Sequence, residues 1–368
     1  DACSGYHYSD STLLGFSHTH LSGTGCIDLG DILFHPTVTG IQAKPEGYLF
    51  EPLSFSHKNE LASPGYYRVK LDNGILAELT ATMHVGVHRY TFPDKGQPKI
   101  IIDLAHLLEN ETIIEAEIQM VSGEIAGMRR TSGWVANQYI YFVAQFSEKF
   151  DASLISGGET VSGVKTVAGK NLQAVITFPE NNREPVVCKV GLSLVSVENA
   201  RLNLQAETKG FDFDKIKSEA ENTWNQALSA FRISGGKSEE ITNFYTALYH
   251  SMIAPNVVSD ANHDYRGADQ QIHRSQKPVY STMSLWDTFR AWNPLMTLTD
   301  TTLVNQMINS FLNFYDQTGE LPIWPLSSGE TGTMIGYHSV SVIYDAYSKN
   351  IRGFDAKKAF EAMKVSAE

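Results

Sequence analysis

The chain has 368 residues, with 41 acidic side chains against 29 basic ones, a formal net charge of −12, and 42% hydrophobic residues. The apolar share supports a packed core and excludes wholesale disorder. Negative charge without a Lys/Arg cluster excludes a nucleic-acid binder, and runs such as Tyr139–Phe146 stop well short of the ~18 apolar residues of a membrane helix.

The length implies two domains, or one large domain and part of another. Cys3, Cys26 and Cys188 are irregularly spaced, so they make neither a zinc knuckle nor a disulfide framework, and at most one bridge. They read as small buried hydrophobes.

Up to about Glu207 the pattern is that of strands. Gly65–Leu71, Ile75–Met83, Val85–Phe92, Lys99–Leu104, Ile114–Met120, Trp134–Phe146, Leu172–Phe178 and Pro185–Ser196 are β-branched or aromatic runs, several alternating with period two. Turn pieces separate them: Asp72-Asn73-Gly74, Ser122-Gly123 and Ser156-Gly157-Gly158. Short strands without intervening helices predict an antiparallel sandwich. Helical spacing then takes over at Phe213–Phe231, followed by Glu239–Ile253, Ser284–Leu298, Thr301–Tyr315, Gly336–Tyr347 and Asp355–Ala367, with a long polar loop over Val258–Ser281. The predicted order is all-β then all-α: a β domain over 1–210, a helical linker over 211–236 and a helical domain over 237–368. No initiator Met or leader precedes Asp1, and the last helical pattern lacks a capping glycine. Both ends are therefore expected to be cut from a longer chain.

Three segments could carry chemistry. In the run from His18 to Asp28, small residues separate His18, His20, Thr24 and Asp28, with Asp31 just beyond. The Ser22-Gly23-Thr24-Gly25-Cys26 stretch lets backbone approach a ligand, whether metal, phosphate or sugar hydroxyls, or is an ordinary glycine loop. It is not a P-loop, because no Gly-Lys-Ser/Thr follows, and the histidine spacing does not suit zinc. In the second segment, Tyr280–Trp292, Asp287 and Arg290 are three apart, predicting a shared helix face with Trp286 beside them. That arrangement is either a helix start with a local ion pair or a sugar clamp, with charged groups on hydroxyls and tryptophan on the C–H face. The third, Leu321–His338, breaks any helix with prolines and glycines yet holds Trp324, Glu330 and His338. Together the three suggest a polar, aromatic-lined pocket at a domain junction, suited to a neutral, hydroxyl-rich ligand.

At these residues the sequence resembles glycoside hydrolase family 92, the calcium-dependent exo-acting α-mannosidases. The resemblance runs through Cys3–Tyr8, Gly15–Cys26, Gly30–Leu33, His57–Tyr67, Leu248–Pro255, Ser284–Trp292 and Pro322–His338. It implies a β-sandwich, a linker helix and the first helices of an (α/α)6 barrel. It also implies inverting hydrolysis of terminal α-mannosides, with acid and base carboxylates roughly 6.5–9.5 Å apart and calcium holding the sugar diol. The family's acid lies in a Glu-Gly-Asn-like string and its base in a Gly-Asn-Asp-Asp-like one. Neither occurs here, so no catalytic residue is assigned and this chain alone is expected to be inactive; Glu330 is declined because its string does not match. The resemblance implies substrate-contact roles only: Asp287 accepting mannose hydroxyls, the Ser22–Cys26 loop with His20 reaching the sugar, and Trp286, Arg290, Trp324, Glu330 and His338 lining or bracing the site. It further implies an α-mannose-containing glycan as partner and export to the periplasm, cell surface or medium. A non-catalytic carbohydrate-binding module is the competing reading, but it leaves the polar clusters after Ser281 unexplained. A helical-barrel phosphorylase would need a basic phosphate site, and none is found.

Overall fold

The computed structural model describes residues 5–41, 50–109, 111–121, 123–180 and 184–368. Cys3 and Ser4, and the Ser122 half of the expected Ser122-Gly123 turn, lie outside them. The chain divides into two units, one of 1–134 with 139–225, the other of 135–138 with 226–368.

In the first unit, β-branched strands assemble into two sheets. One runs, in spatial order, Thr12–Leu13, Leu53–Ser63, Tyr66–Leu71, Leu76–Ala81, Val85–Thr91, Val186–Ser193, Gln138–Phe146, Glu124–Ser132, Thr112–Val121 and Thr166–Gly169. The other runs Glu159–Val161, Asp151–Ser156, Leu172–Thr177, Lys99–Asp103 and Leu33–Thr37. Val69, Leu71 and Phe142 of the first sheet share one core with Ile100, Ile102, Ala174 and Ile176 of the second. The Lys99–Asp103 strand reads as a continuous apolar run because it is buried on both faces: Ile101 packs the other way, with Leu33, Ile155 and Val175. The Asp72-Asn73-Gly74 turn forms as predicted, with Leu71 N–H donating to Ile75 O at 2.8 Å between strands in register Lys70↔Leu76.

One stretch expected to be free of helix is helical. Helix α1, Val197–Glu207, is capped by Ser196, whose Oγ accepts from Asn199 N–H at 3.1 Å. Ala200 and Leu204 pack with Val85, Val87 and Val187 on the outer face of the larger sheet. The contact is backbone-close: a Cβ on Gly191 would lie 2.4 Å from Ala200 O, so only glycine fits there. Helix α2, Phe213–Leu228, adds Phe213 and Ile216 to the same cluster.

The second unit contains α3 (Ser238–His250), α4 (Leu285–Thr288), α5 (Trp292–Thr299), α6 (Thr301–Thr318), α7 (His338–Ser348) and α8 (Ala356–Val365). The long loop after Val258 is partly ordered by short ladders pairing Asp264–Arg266 with Ile272–Arg274, and Asn256–Val257 with Tyr280–Ser281. Its core gathers Met307, Ile308, Phe311 and Leu312 of α6 with Val342 and Ile343 of α7. Asp300 starts α6 by accepting from Leu303 N–H at 2.9 Å.

The single helix expected over Ser284–Leu298 is two. A continuous helix would press the Pro294 ring against the Arg290 carbonyl and leave no N–H to donate. The chain instead breaks after Thr288 and restarts at Trp292, which places Pro294 in the first turn of α5, where the missing N–H costs nothing.

Candidate functional site

In the first unit, the segment from His18 to Ile32 folds back on itself. His18 N–H donates to Asp31 O and Gly30 N–H to Thr19 O, both at 2.9 Å. Thr19 Oγ1 donates to Asp31 Oδ2 at 2.6 Å and accepts from Asp31 N–H at 2.9 Å. These bonds close a neck, and the residues between its arms project as a loop. Within the loop Thr24 Oγ1 donates to Cys26 O at 2.8 Å, while Ser22, Gly23, Gly25, Cys26 and His20 are exposed. Cys26 is a free thiol; Cys188 is buried in the core. Leu29, Gly30 and Ile32 all take left-handed backbone, with φ of +70°, +78° and +52°.

The polar residues expected to meet a ligand here divide into tip and neck. Asp28 accepts from Leu29 N–H at 2.7 Å and Trp134 N–H at 2.6 Å. Beneath the neck lies Arg129 of the Glu124–Ser132 strand, 0% exposed, with Nε donating to Asp31 Oδ1 at 3.1 Å. Its Nη2 sits 2.8 Å from the same oxygen as an ion pair, too oblique for a hydrogen bond, and 3.7 Å from Glu111 Oε2. Its Nη1 donates to the carbonyls of Leu104, at 3.5 Å, and His106. Glu111 accepts from Leu29 N–H at 3.0 Å and Leu108 N–H at 3.2 Å. Burial, reinforced by Asp31 and opposed by Arg129, pushes its carboxyl up to about 8.

His18 faces inward. Its Nδ1 lies 2.7 Å from Ile32 O, its Nε2 lies 3.0 Å from His88 Nε2, and His88 Nδ1 lies 2.7 Å from Tyr90 OH. Burial lowers His18 to about 4 and His88 well below its usual value, so both rings are neutral near pH 7. Ile32 O only accepts, so His18 Nδ1 carries the proton, His88 Nε2 donates to His18, and Tyr90 donates to His88. Sequence reasoning missed Arg129, Glu111, His88 and Tyr90. The available signal was an arginine inside a strand, which must find acids if it is buried.

A second cluster joins two of the strings that carry the resemblance. Glu60 accepts from Tyr6 OH at 2.8 Å and Tyr67 OH at 2.9 Å, and lies 2.5 Å from His57 Nδ1. Exposed Tyr8 stacks on His57 at 4.2 Å. The side chain of His20 abuts Gly5, where a Cβ would come within 2.5 Å of it.

In the second unit, the break between α4 and α5 overturns the shared face of Asp287 and Arg290. Asp287 and Trp286 are exposed on α4, and Asp287 Oδ2 accepts from Ser284 Oγ. Arg290 lies in the break, its guanidinium 4.8 Å over the Phe289 ring, and Phe289 stacks on His338 at 4.0 Å and 14°. His338 Nε2 is buried and accepts or donates no hydrogen bond. Trp324 is buried at 4% exposure. The Glu330 carboxylate is occupied by the backbone of its own loop, accepting from Ile323 N–H at 2.9 Å, Trp324 N–H at 2.8 Å and Gly332 N–H at 3.0 Å. The structure thus groups Arg290 with His338, and Trp324 with Glu330, and pairs neither group with Asp287 by a hydrogen bond. Among the described residues no three His, Cys, Asp or Glu side chains converge as a metal cage.

The described residues thus give a β unit with a buried-neck loop and, by itself, a helical unit with exposed Trp286, Asp287 and Arg290. The profile of the glycosyl hydrolase family 92 N-terminal domain matches residues 1–193, and that of the family's catalytic domain matches residues 199–368. The chain belongs to glycosyl hydrolase family 92. The family GH92 α-mannosidase BT3965 from Bacteroides thetaiotaomicron is 36% identical with a TM-score of 0.94, over 100% of this chain and 51% of that one. The family GH92 inverting mannosidase BT2199 from the same organism is 29% identical with a TM-score of 0.88, over 98% and 49%. An uncharacterized secreted glycosidase from Arthroderma benhamiae is 26% identical over 99% of this chain and 47% of its own length. The chain thus spans about half the length of these relatives.

Proposed function

We propose that this chain is the β-sandwich and the first helices of the (α/α)6 barrel of an exported, exo-acting, inverting α-mannosidase. The observation that carries the reading is similarity over the whole chain to a solved α-mannosidase, at 36% identity and a TM-score of 0.94. That enzyme has also been solved with mannoimidazole bound, which supports a terminal α-mannose of a glycan as the ligand class. Exposed apolar side chains on α7 and α8, Tyr344 and Phe360, support a barrel that further helices complete.

In this reading the chain binds and orients. The Asp287 carboxylate accepts hydroxyls of the terminal mannose, and exposed Trp286 offers its face to the ring C–H groups. Taken by itself, the Ser22–Cys26 tip offers backbone N–H groups, His20 and a thiol to sugar hydroxyls. Glu330 keeps the Trp324 loop in shape and does not transfer a proton. General acid and base come from carboxylates that the recognised strings of this chain do not include. Calcium is carried by the resemblance: a hard cation suits the mannose diol and a carboxylate such as Asp287. The described residues form no cage for it.

The test uses a polypeptide that joins this chain to the family's acid and base strings, comparing Asp287→Ala and Asp287→Asn on α-mannobiosides. Losing charge-assisted bonds of about 1.5–3 kcal/mol each should lower kcat/KM by about 10²-fold or more. Unfolding stability should move by no more than the roughly 0.3–1 kcal/mol of a helix-start acid. A variant that melts lower yet hydrolyses normally would remove Asp287 from the sugar site.

A further inference from the structure

The geometry points to Arg129 as the positioning residue of the Ser22–Cys26 loop, acting through Asp31 and touching neither the loop tip nor a sugar; its relevance to catalysis rests on the reading of that tip as a sugar contact. Asp31 links the opposite arm of the neck to the guanidinium. One carboxylate oxygen takes the Thr19 hydroxyl on the opposite arm, and the other takes the guanidinium below. The guanidinium is in turn fixed to the carbonyls of Leu104 and His106, just beyond the Lys99–Asp103 strand. A planar fork can bridge a carboxylate and two carbonyls at once, whereas a lysine offers one compact charge.

The neck needs such a restraint. Leu29 and Ile32 hold positive φ without being glycine, a backbone conformation that L side chains rarely adopt. Such a path persists only where its surroundings over-determine it. His18, tied to His88, holds the incoming arm, and Arg129 holds the outgoing one. The guanidinium is fully buried, so its removal takes from Asp31 and Glu111 the buried cation that faces them.

Cys26 makes the proposal measurable without any enzymatic assay, because it is exposed on the loop while Cys188 is buried. In a Cys3→Ser background, the rate of Cys26 alkylation by iodoacetamide is measured well below the melting temperature for the wild-type loop, Arg129→Lys, Asp31→Asn and a core control, Leu154→Ala. Both neck variants should shift the rate by roughly five-fold or more, as the loop samples other conformations. The control, compared at an equal loss of Tm, should leave it unchanged. If Arg129→Lys fails to fold, Asp31→Asn decides. An unchanged rate in the folded neck variants, or an equal shift in Leu154→Ala, would overturn the positioning role. Protection of Cys26 by methyl α-mannoside reports separately on the sugar reading: a shifted rate without protection keeps Arg129 as the loop's anchor and sinks the tip as a sugar contact.

Discussion

Between Leu29 and Leu108, the Glu111 carboxyl receives two backbone N–H groups while standing close to Asp31 and Asp28. Its raised value of about 8, against an ordinary 4.5, sets a sign for stability. Below about 4.5 both folded and unfolded chains hold the proton. Between 4.5 and 8 only the folded chain does, so stability falls as pH rises through that window. The buried histidines act oppositely. His18, His35 and His106, each lowered to about 4 by burial, stay neutral when folded and take a proton when unfolded, so stability is lost as pH falls from 6.5 towards 4. Glu111→Gln should flatten the alkaline limb of a Tm-against-pH curve and leave the acid limb intact. An unchanged alkaline limb would show that Glu111 ionises freely in the folded chain. None of this was legible from composition, since Glu111 and Arg129 are 18 positions apart, one just before the Thr112–Val121 strand and the other within Glu124–Ser132. Only the fold turns both inward.

Among the elements, the loop around Glu330 is held by the Glu330 side chain. Its carboxylate accepts three backbone N–H groups next to buried Trp324. Glu330→Ala should therefore lower unfolding stability by about 2–3 kcal/mol, read by denaturant titration with tryptophan fluorescence. Glu330→Gln should lose about half as much, since one oxygen still accepts. A Gln variant that melts normally but abolishes turnover would instead make Glu330 an acid. Periodicity made many elements legible, α6 and the Lys99–Asp103 strand most plainly, but not Leu53–Ser63 or the Arg129 strand Glu124–Ser132. The misses have physical reasons. Leu33–Thr37 holds Pro36, which an edge strand tolerates and a central one does not. Helix α1 buries a narrow stripe of Ala200 and Leu204 against Gly191, too little to stand out beside Asn199, Asn203 and Gln205. The break before α5 was legible in Pro294 and was overlooked because the apolar spacing runs straight across it. At the 18–32 segment the sequence separated tip from neck poorly, because Asp and His look alike whether they face a ligand or a backbone N–H.

For the molecule as a whole, the prediction is one of incompleteness. Ile335 at 80% and Leu298 at 79% exposure join Tyr344 and Phe360 on the surface of the helical unit. Apolar side chains scattered singly need no explanation, whereas a contiguous patch marks a surface that binds something, and dye binding tells the two apart. The 368-residue chain by itself should therefore bind a hydrophobic dye strongly and hydrolyse no α-mannoside. Measurable hydrolysis by the isolated chain would mean that acid and base are present in strings that do not resemble the family's.

The row from Tyr90 through His88 and His18 to Ile32 gives the two histidines opposite tautomers, one protonated at Nε2 and the other at Nδ1. Two identical side chains thereby become different chemical groups, and the order of protons along the row has a direction. Reversing it would leave a nitrogen lone pair facing the Ile32 carbonyl, with nothing to share between them. The row therefore runs in one sense only, and it ends at a carbonyl that accepts a hydrogen and has none to hand on.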